Sequence, residues 1–193
     1  MALQPLSYQN YSDEELLPAV ARGVTAAFDE LYKRYGQRLF GYFFRMLWKN
    51  KELAEDQVQE LFIKVIRHAG SFETGRSFPT WLYSIAHNMC KNEYRKAEVR
   101  MKHAQTKQAA GTRATAGINL DLQKFRTAVT DCIARLTEEK KSLFILRFQE
   151  QLSVPEISQV LNIPEGTIKS RLFYLLKEMK EELSEYKTLH LYP

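Results

Sequence analysis

Two cysteines in 193 residues, far apart in sequence, leave little for disulfide or zinc chemistry to use. Cys90 and Cys132 fall in segments that read as separate helices, without the paired spacing of a metal or redox site. His68, His87, His103 and His190 form no metal-spaced set, no carboxylate cluster repeats across helices, and no glycine-rich phosphate loop occurs. The chain therefore reads as a non-enzyme with no cofactor and no small-molecule substrate. Apolar runs are only a few residues long, which excludes a membrane-spanning helix. The N-terminus also lacks a basic start followed by a hydrophobic stretch, so a cytoplasmic location is expected. Strand-like alternation is nearly absent, and the 8 Gly and 6 Pro sit mostly where helical patterning stops, so the fold class is all-α.

What is present is positive charge and aromatic area. A formal charge of +5 favours a polyanion, because a basic surface gains affinity by displacing condensed counterions. Anionic membranes would satisfy the same charge. The 10 Tyr and 11 Phe offer flat side chains that fill a core or stack on bases, and composition does not choose between them.

Apolar periodicity divides the chain into two small helical domains. One stripe runs through Phe28, Leu31, Tyr35, Leu39, Tyr42 and Phe43, and a second through Val58, Leu61, Phe62, Val65 and Ile66. After a loop from Ser71 to Pro79, a third takes in Phe78, Trp81, Leu82, Ile85, Ala86 and Met89. Residues 1–24 form a lead-in helix and 25–105 the body of the first domain. Residues 106–119 are small and polar, with no large apolar residue before Ile118, and read as a flexible linker. Helical patterning resumes at Leu120 with Phe125, Val129, Cys132, Ile133 and Leu136, giving a second domain over 120–187 and a tail of 188–193.

The second domain carries the sharpest local pattern. Ser153-Val-Pro-Glu156 has the form of a capping box that starts a helix at Val154. The turn Asn162-Ile-Pro-Glu-Gly166 combines a rigid φ with a free one and makes the next helix cross sharply. That helix, from about Pro164 to Glu185, buries Ile168, Leu172, Leu175, Leu176, Met179 and Leu183. It leaves Lys169, Ser170, Phe173, Tyr174 and Lys177 on other faces. This is a helix-turn-helix whose second helix suits the major groove, with Lys and Ser facing base acceptors and an aromatic edge facing thymine. The amides near Gly166 and Thr167 suit a phosphate. An ordinary helical hairpin with a solvated basic face is the competing reading.

The first domain shows two surfaces of opposite character. Between Lys51 and Glu60 one Lys stands against Glu52, Glu55, Asp56 and Glu60, the wrong sign for phosphate and suited to a basic protein partner. With Val58 and Leu61 inward, Asp56, Gln59, Glu60 and Ile63 are displayed outward. A solvated helix start that suits the macrodipole is the alternative. The third stripe has a second face of Tyr83, His87, Cys90 and Tyr94, flanked by Asn88, Lys91, Asn92 and Arg95. Aromatics beside amides and cations suit unpaired bases, which offer a ring to stack and a Watson-Crick edge to an Asn amide. Half-buried packing is the other reading of Tyr83 and Tyr94. From Lys91 to Arg113, seven Lys or Arg stand against Glu93 and Glu98, a basic run able to track a backbone.

Taken in order, these motifs resemble the sigma-70 superfamily of bacterial RNA polymerase subunits, in its extracytoplasmic-function (ECF) group. Residues Ala54 to Lys64 resemble the family's polymerase-binding helix, which docks on the clamp helices of the largest subunit. Phe78 to Asn88, followed by Arg95-Lys96, resemble its promoter-melting and minus-10 segment. Leu136-Thr-Glu-Glu139 and Gly166 to Arg171 resemble its minus-35 reading domain. The resemblance implies that Asp56, Gln59, Glu60 and Ile63 face core RNA polymerase. It assigns the minus-10 element to Tyr83, His87, Asn88, Lys91, Asn92 and Arg95, with Asn88 holding a flipped base assisted by the loop from Ser71 to Thr80. It assigns the minus-35 duplex of promoter DNA to Gly166, Thr167, Lys169, Ser170, Arg171, Phe173 and Tyr174. It also implies an anti-sigma partner, often membrane-tethered. Tyr174 stands where many relatives carry a basic residue and Ser158 where they often carry Ala, and the short end after Tyr186 suits subgroups without an added domain. A free-standing helix-turn-helix regulator is the alternative function, but it would have no use for the acidic docking helix or the Asn88 face.

Overall fold

A computed structural model describes residues 8–73, 75–103 and 120–186, and every regular element among them is helical. The expected linker, the start of the lead-in segment and the C-terminal tail lie outside the described residues. The first domain comprises α1 (Asp13–Ala21), α2 (Thr25–Met46), α3 (Lys51–His68) and α4 (Phe78–His103). The second comprises α5 (Leu120–Arg135), α6 (Glu138–Phe144), α7 (Val154–Leu161) and α8 (Glu165–Glu182).

Each domain has a helix that begins in the same way. In α1, Ser12 Oγ accepts from the Glu15 amide while the Glu15 carboxylate accepts from the Ser12 amide at 2.7 Å. The same reciprocal pair, Ser153 with Glu156, opens α7, with a proline in its first turn. Both pairs satisfy amides that the helix itself leaves without partners.

Leu31, Leu39, Tyr42 and Phe43 of α2 are wholly buried against Leu61 of α3 and Phe78 and Leu82 of α4. Two apolar residues expected inside, Ile66 and Leu176, are 46% exposed. Each lies at helical spacing from the core, but at the edge of a face that no other described element covers. The loop after α3 is also shorter than expected. A 3-10 turn continues α3 through Ser71, and α4 already starts at Phe78, whose amide donates to Glu14 at 2.8 Å.

In the second domain the sharp turn between α7 and α8 is made differently from the sequence expectation. Asn162, at φ 54°, is the left-handed residue that stops α7, whereas Gly166 lies within the first turn of α8. Asn tolerates this conformation better than most residues with a Cβ. Between α6 and α7, one wide π turn (Ile145–Gln149) and a left-handed Gln151 redirect the chain. The two domains touch: α7 lies along α4, and the buried apolar set runs without a break from one into the other.

Candidate nucleic-acid interface

On α3 the residues Asp56, Gln59, Glu60 and Ile63 are all exposed on one side, with Val58 and Leu61 buried on the other. Steps of three and four along a helix share a face, which produces this separation. Lys64 pairs with Glu60 at 2.8 Å and lowers the pKa of that carboxyl. A groove of about 510 Å³ runs between α2 and α3, with Tyr32 and Phe40 on one side and Glu55 and Gln59 on the other. The aromatic side of this groove was not read from sequence, because Tyr32 falls between the stripe positions of α2.

The residues proposed for unpaired bases divide between two neighbouring faces of α4. Asn88, Lys91, Asn92 and Arg95 are exposed. Tyr83, by contrast, is 0% exposed and donates its hydroxyl to Glu150 of the second domain. His87 is only partly accessible, with Nδ1 3.3 Å from Ser142 Oγ. Burial, aided by Lys91, lowers its pKa from 6.5 to about 4, so the ring is neutral at pH 7. Cys90 is buried, its thiol pKa raised chiefly by desolvation, and Tyr94 is half-buried with its hydroxyl donating to Met46 O at 2.6 Å. In this arrangement Tyr83 cannot stack on a base, because the second domain occupies the space in front of it.

The carboxylate that closes the domains together is Glu150, which sequence reading missed. Its side chain is 3% exposed and meets Arg38 Nε at 3.1 Å and Arg45 at 3.7 Å, besides the Tyr83 hydroxyl. Arg38 also donates to the Glu150 carbonyl at 3.3 Å. The π turn places it: its amide bonds to Ile145 O, five residues back, so the carboxylate swings toward α2 rather than into solvent. A second bridge comes from Glu156, whose Oε1 accepts from Ser77 at 3.2 Å and Thr80 at 3.4 Å. Burial alone would raise the Glu156 pKa, but the hydrogen bonds from Ser153, Ser77 and Thr80 outweigh it and lower it.

The first half of α8 presents a mixed basic and aromatic surface. Phe173 and Tyr174 are each 65% exposed with their rings 5.5 Å apart, and Gly166, Lys169 and Ser170 are exposed beside them. Ser170 donates to Thr167 O at 3.0 Å, and Thr167 is half-buried. Arg171 turns the other way. It pairs with Glu139 at 3.3 Å and helps line a cleft of about 220 Å³ between the domains, facing His87 and Lys91.

This geometry gives one exposed polar and basic face on a helix of each domain, and no described group of His, Cys, Asp and Glu is placed to hold a metal ion. The family model for Sigma-70 region 2 matches residues 31–100, and that for Sigma-70 region 4 matches residues 126–179. Among curated relatives, the ECF RNA polymerase sigma-E factor of Haemophilus influenzae is 32% identical over 176 residues, covering 86% of this chain and 92% of the relative. The RNA polymerase sigma-H factor of Pseudomonas aeruginosa is 30% identical over 180 residues, covering 83% and 88%. The chain belongs to the sigma-70 family of RNA polymerase sigma factors, in the ECF group. It is a dissociable subunit that directs promoter-specific transcription initiation. In fold it is similar to RpoE in its complex with the anti-sigma factor NepR from Bartonella quintana, at TM-score 0.66 and 24% identity over 81% of this chain and 96% of that one. CnrH in complex with the cytosolic domain of CnrY gives TM-score 0.61 at 20% identity, covering 90% and 95%.

Proposed function

We propose that Asn88, Lys91, Asn92 and Arg95 on α4 meet the opened minus-10 strand, while Lys169, Ser170, Phe173 and Tyr174 on α8 meet the minus-35 duplex. The observation that carries this reading is the pairing of two exposed sets, each combining donors with cations and each on a helix of a different domain. Asp56, Gln59, Glu60 and Ile63 form the face for core polymerase. The chain acts in the cytoplasm and carries no chemistry of its own. No helix among the described residues is long and apolar enough to cross a membrane.

Both elements cannot be read at once with the domains in contact. Positions about 25 base pairs apart, at about 3.4 Å of rise each, are separated by roughly 80 Å of duplex. Core polymerase must therefore draw the second domain off α4, freeing Tyr83 and His87 to join the minus-10 face. An anti-sigma partner fits the opposite role of keeping the domains together, and solved structures of similar fold hold such partners.

The test separates the steps. Asn88→Ala should impair strand opening and leave minus-35 duplex binding intact, whereas Lys169→Ala should weaken minus-35 binding by about 1 kcal/mol or more. Asp56→Arg should lower affinity for core polymerase while the protein stays folded. Permanganate footprinting, a minus-35 duplex binding assay and core-polymerase titration measure these in turn. Equal loss of one step by Asn88→Ala and Lys169→Ala would reject the division of roles.

A further inference from the structure

Trp48 is 57% exposed, and it occupies a turn built at some conformational expense. Trp48 and Lys49 between α2 and α3 have φ of 55° and 57°, two consecutive left-handed residues of which neither is glycine. Such backbone persists only where the surroundings hold it, and it gathers at functional positions. Here the surroundings do hold it. Leu47, wholly buried, donates its amide to Phe43 O at 2.7 Å, Lys49 donates to Phe44 O at 3.0 Å, and Asn50 donates to Leu47 O at 3.0 Å. Asn50 Oδ1 then accepts from the Leu53 amide at 2.9 Å and starts α3. From α4, the Tyr94 hydroxyl donates to Met46 O, and the Trp48 ring meets Tyr94 edge to face at 5.4 Å and 81°. The indole is fixed along one edge, and more than half of its surface is left to solvent.

Beside it lies a groove of about 500 Å³, lined by Lys91, Tyr94, Arg95 and Met101 as well as Trp48. Glu98 also lines it, and Glu138 does so from the second domain, in the arrangement where the domains touch. Lys91 and Arg95 belong to the exposed face that carries Asn88, so the groove continues that face toward the C-terminal end of α4. This is the end from which the chain leaves for the second domain. In the functional reading above, on which this inference rests, the second domain reads the upstream element, so Trp48 stands at the upstream edge of the minus-10 contact.

We propose that Trp48 is a further DNA-contacting residue, whose indole stacks on the base at the upstream junction where duplex gives way to the opened strand. An aromatic face flanked by Lys91 and Arg95 combines stacking with phosphate neutralisation, the pairing by which proteins hold unstacked nucleotides. A protein partner for the same patch would not require the cations around the ring.

The test uses holoenzyme reconstituted with core polymerase on a promoter selected with it, carrying 2-aminopurine at the upstream edge of the minus-10 element. Trp48→Ala should slow open-complex formation about tenfold and abolish the change in 2-aminopurine fluorescence, while Trp48→Phe keeps most of both. A template with that junction already mismatched should restore the alanine variant, because the junction no longer has to be opened. Affinity for core polymerase should be unchanged. Wild-type rates and an unchanged 2-aminopurine response in Trp48→Ala would overturn the assignment, as would a loss confined to core-polymerase binding, which would make the patch a protein contact. Wild-type holoenzyme that starts no transcript would instead overturn the functional reading and this inference with it.

Discussion

Two faces of α4, about 100° apart around the helix, are in opposite situations. One carries Tyr83 and His87 and lies under the second domain; the other carries Asn88, Lys91, Asn92 and Arg95 and faces solvent. All six side chains are of types that can meet a base, so residue type alone does not say which face is covered. What separates them is Glu150, which brings a nearly buried carboxylate to Arg38, Arg45 and Tyr83. Conversely, the open face has no such anchor among the described residues. The comparison teaches that the surface available to DNA on the first domain is set by the position of the second, and that a few polar contacts hold that position.

Reversing the charge at the anchor should break the comparison most strongly. Glu150→Lys would put a cation beside Arg38 and Arg45 and remove the acceptor of the Tyr83 hydroxyl. The domain contact should lose on the order of 4 kcal/mol, as when a buried ion pair is broken from one side. X-ray scattering should then report a larger radius of gyration, amides of α4 and α7 should exchange faster, and helical circular dichroism should be retained. An unchanged radius would mean that apolar contact between α4 and α7 suffices to hold the domains. Arg45 Nε is buried without a partner among the described residues, so Glu150→Gln should already loosen the site, though less than the reversal.

Acid should act in the same direction through the other member of the covered face. The His87 pKa is lowered by burial first and Lys91 second, to about 4 from an ordinary 6.5. A lowered histidine pKa favours the neutral ring in the folded state, so its contribution is complete above pH 6.5 and disappears as pH falls toward 4. At about 1.4 kcal/mol per unit, the loss is at most about 3.5 kcal/mol. Glu156 also titrates below its unfolded value, but that window lies under pH 4.5. Thermal midpoints measured from pH 7 to pH 4.5 should fall in wild type and fall less in His87→Gln. Parallel curves for the two proteins would assign the acid sensitivity to another group.

Much of the fold was legible because it is written locally. The capping pair Ser153 and Glu156 occupies four consecutive residues, and both of its hydrogen bonds are present. The inward faces of α2 and α8 follow a 3.6-residue period, with exceptions such as Leu176 where the period continues but the covering element ends. Exposure at Asn88, Lys91 and Arg95 was also readable, since these residues lie off the apolar stripe. The covered state of Tyr83 was not, because its partner lies 67 residues away and is aimed by a π turn that leaves no trace in periodicity. Gly166 misled for a related reason: glycine permits a left-handed turn, but Asn162 makes it. Trp48 escaped notice because a single aromatic between two helices has no repeat to mark it.

The smallest expected effect tests the comparison through the two capping boxes. Ser12 and Ser153 cap their helices by the same reciprocal bonds, yet only the second box is shared between domains, because Glu156 also accepts from Ser77 and Thr80 of the first. Replacing a capping serine with alanine costs about 1 kcal/mol. Ser153→Ala should therefore lower the thermal midpoint by roughly 2–4 °C for a chain of this size. It also removes the hydroxyl that donates to Glu156 Oε2 at 2.7 Å, so that carboxylate should hold Ser77 and Thr80 less firmly. Ser12→Ala should weaken α1 alone. If the contact between the domains runs through Glu156, hydrogen exchange at Ser77 to Thr80 will rise in Ser153→Ala and stay at the wild-type rate in Ser12→Ala. Equal rates in the two variants would leave Glu150 and the Ser142–His87 contact to anchor the covered face.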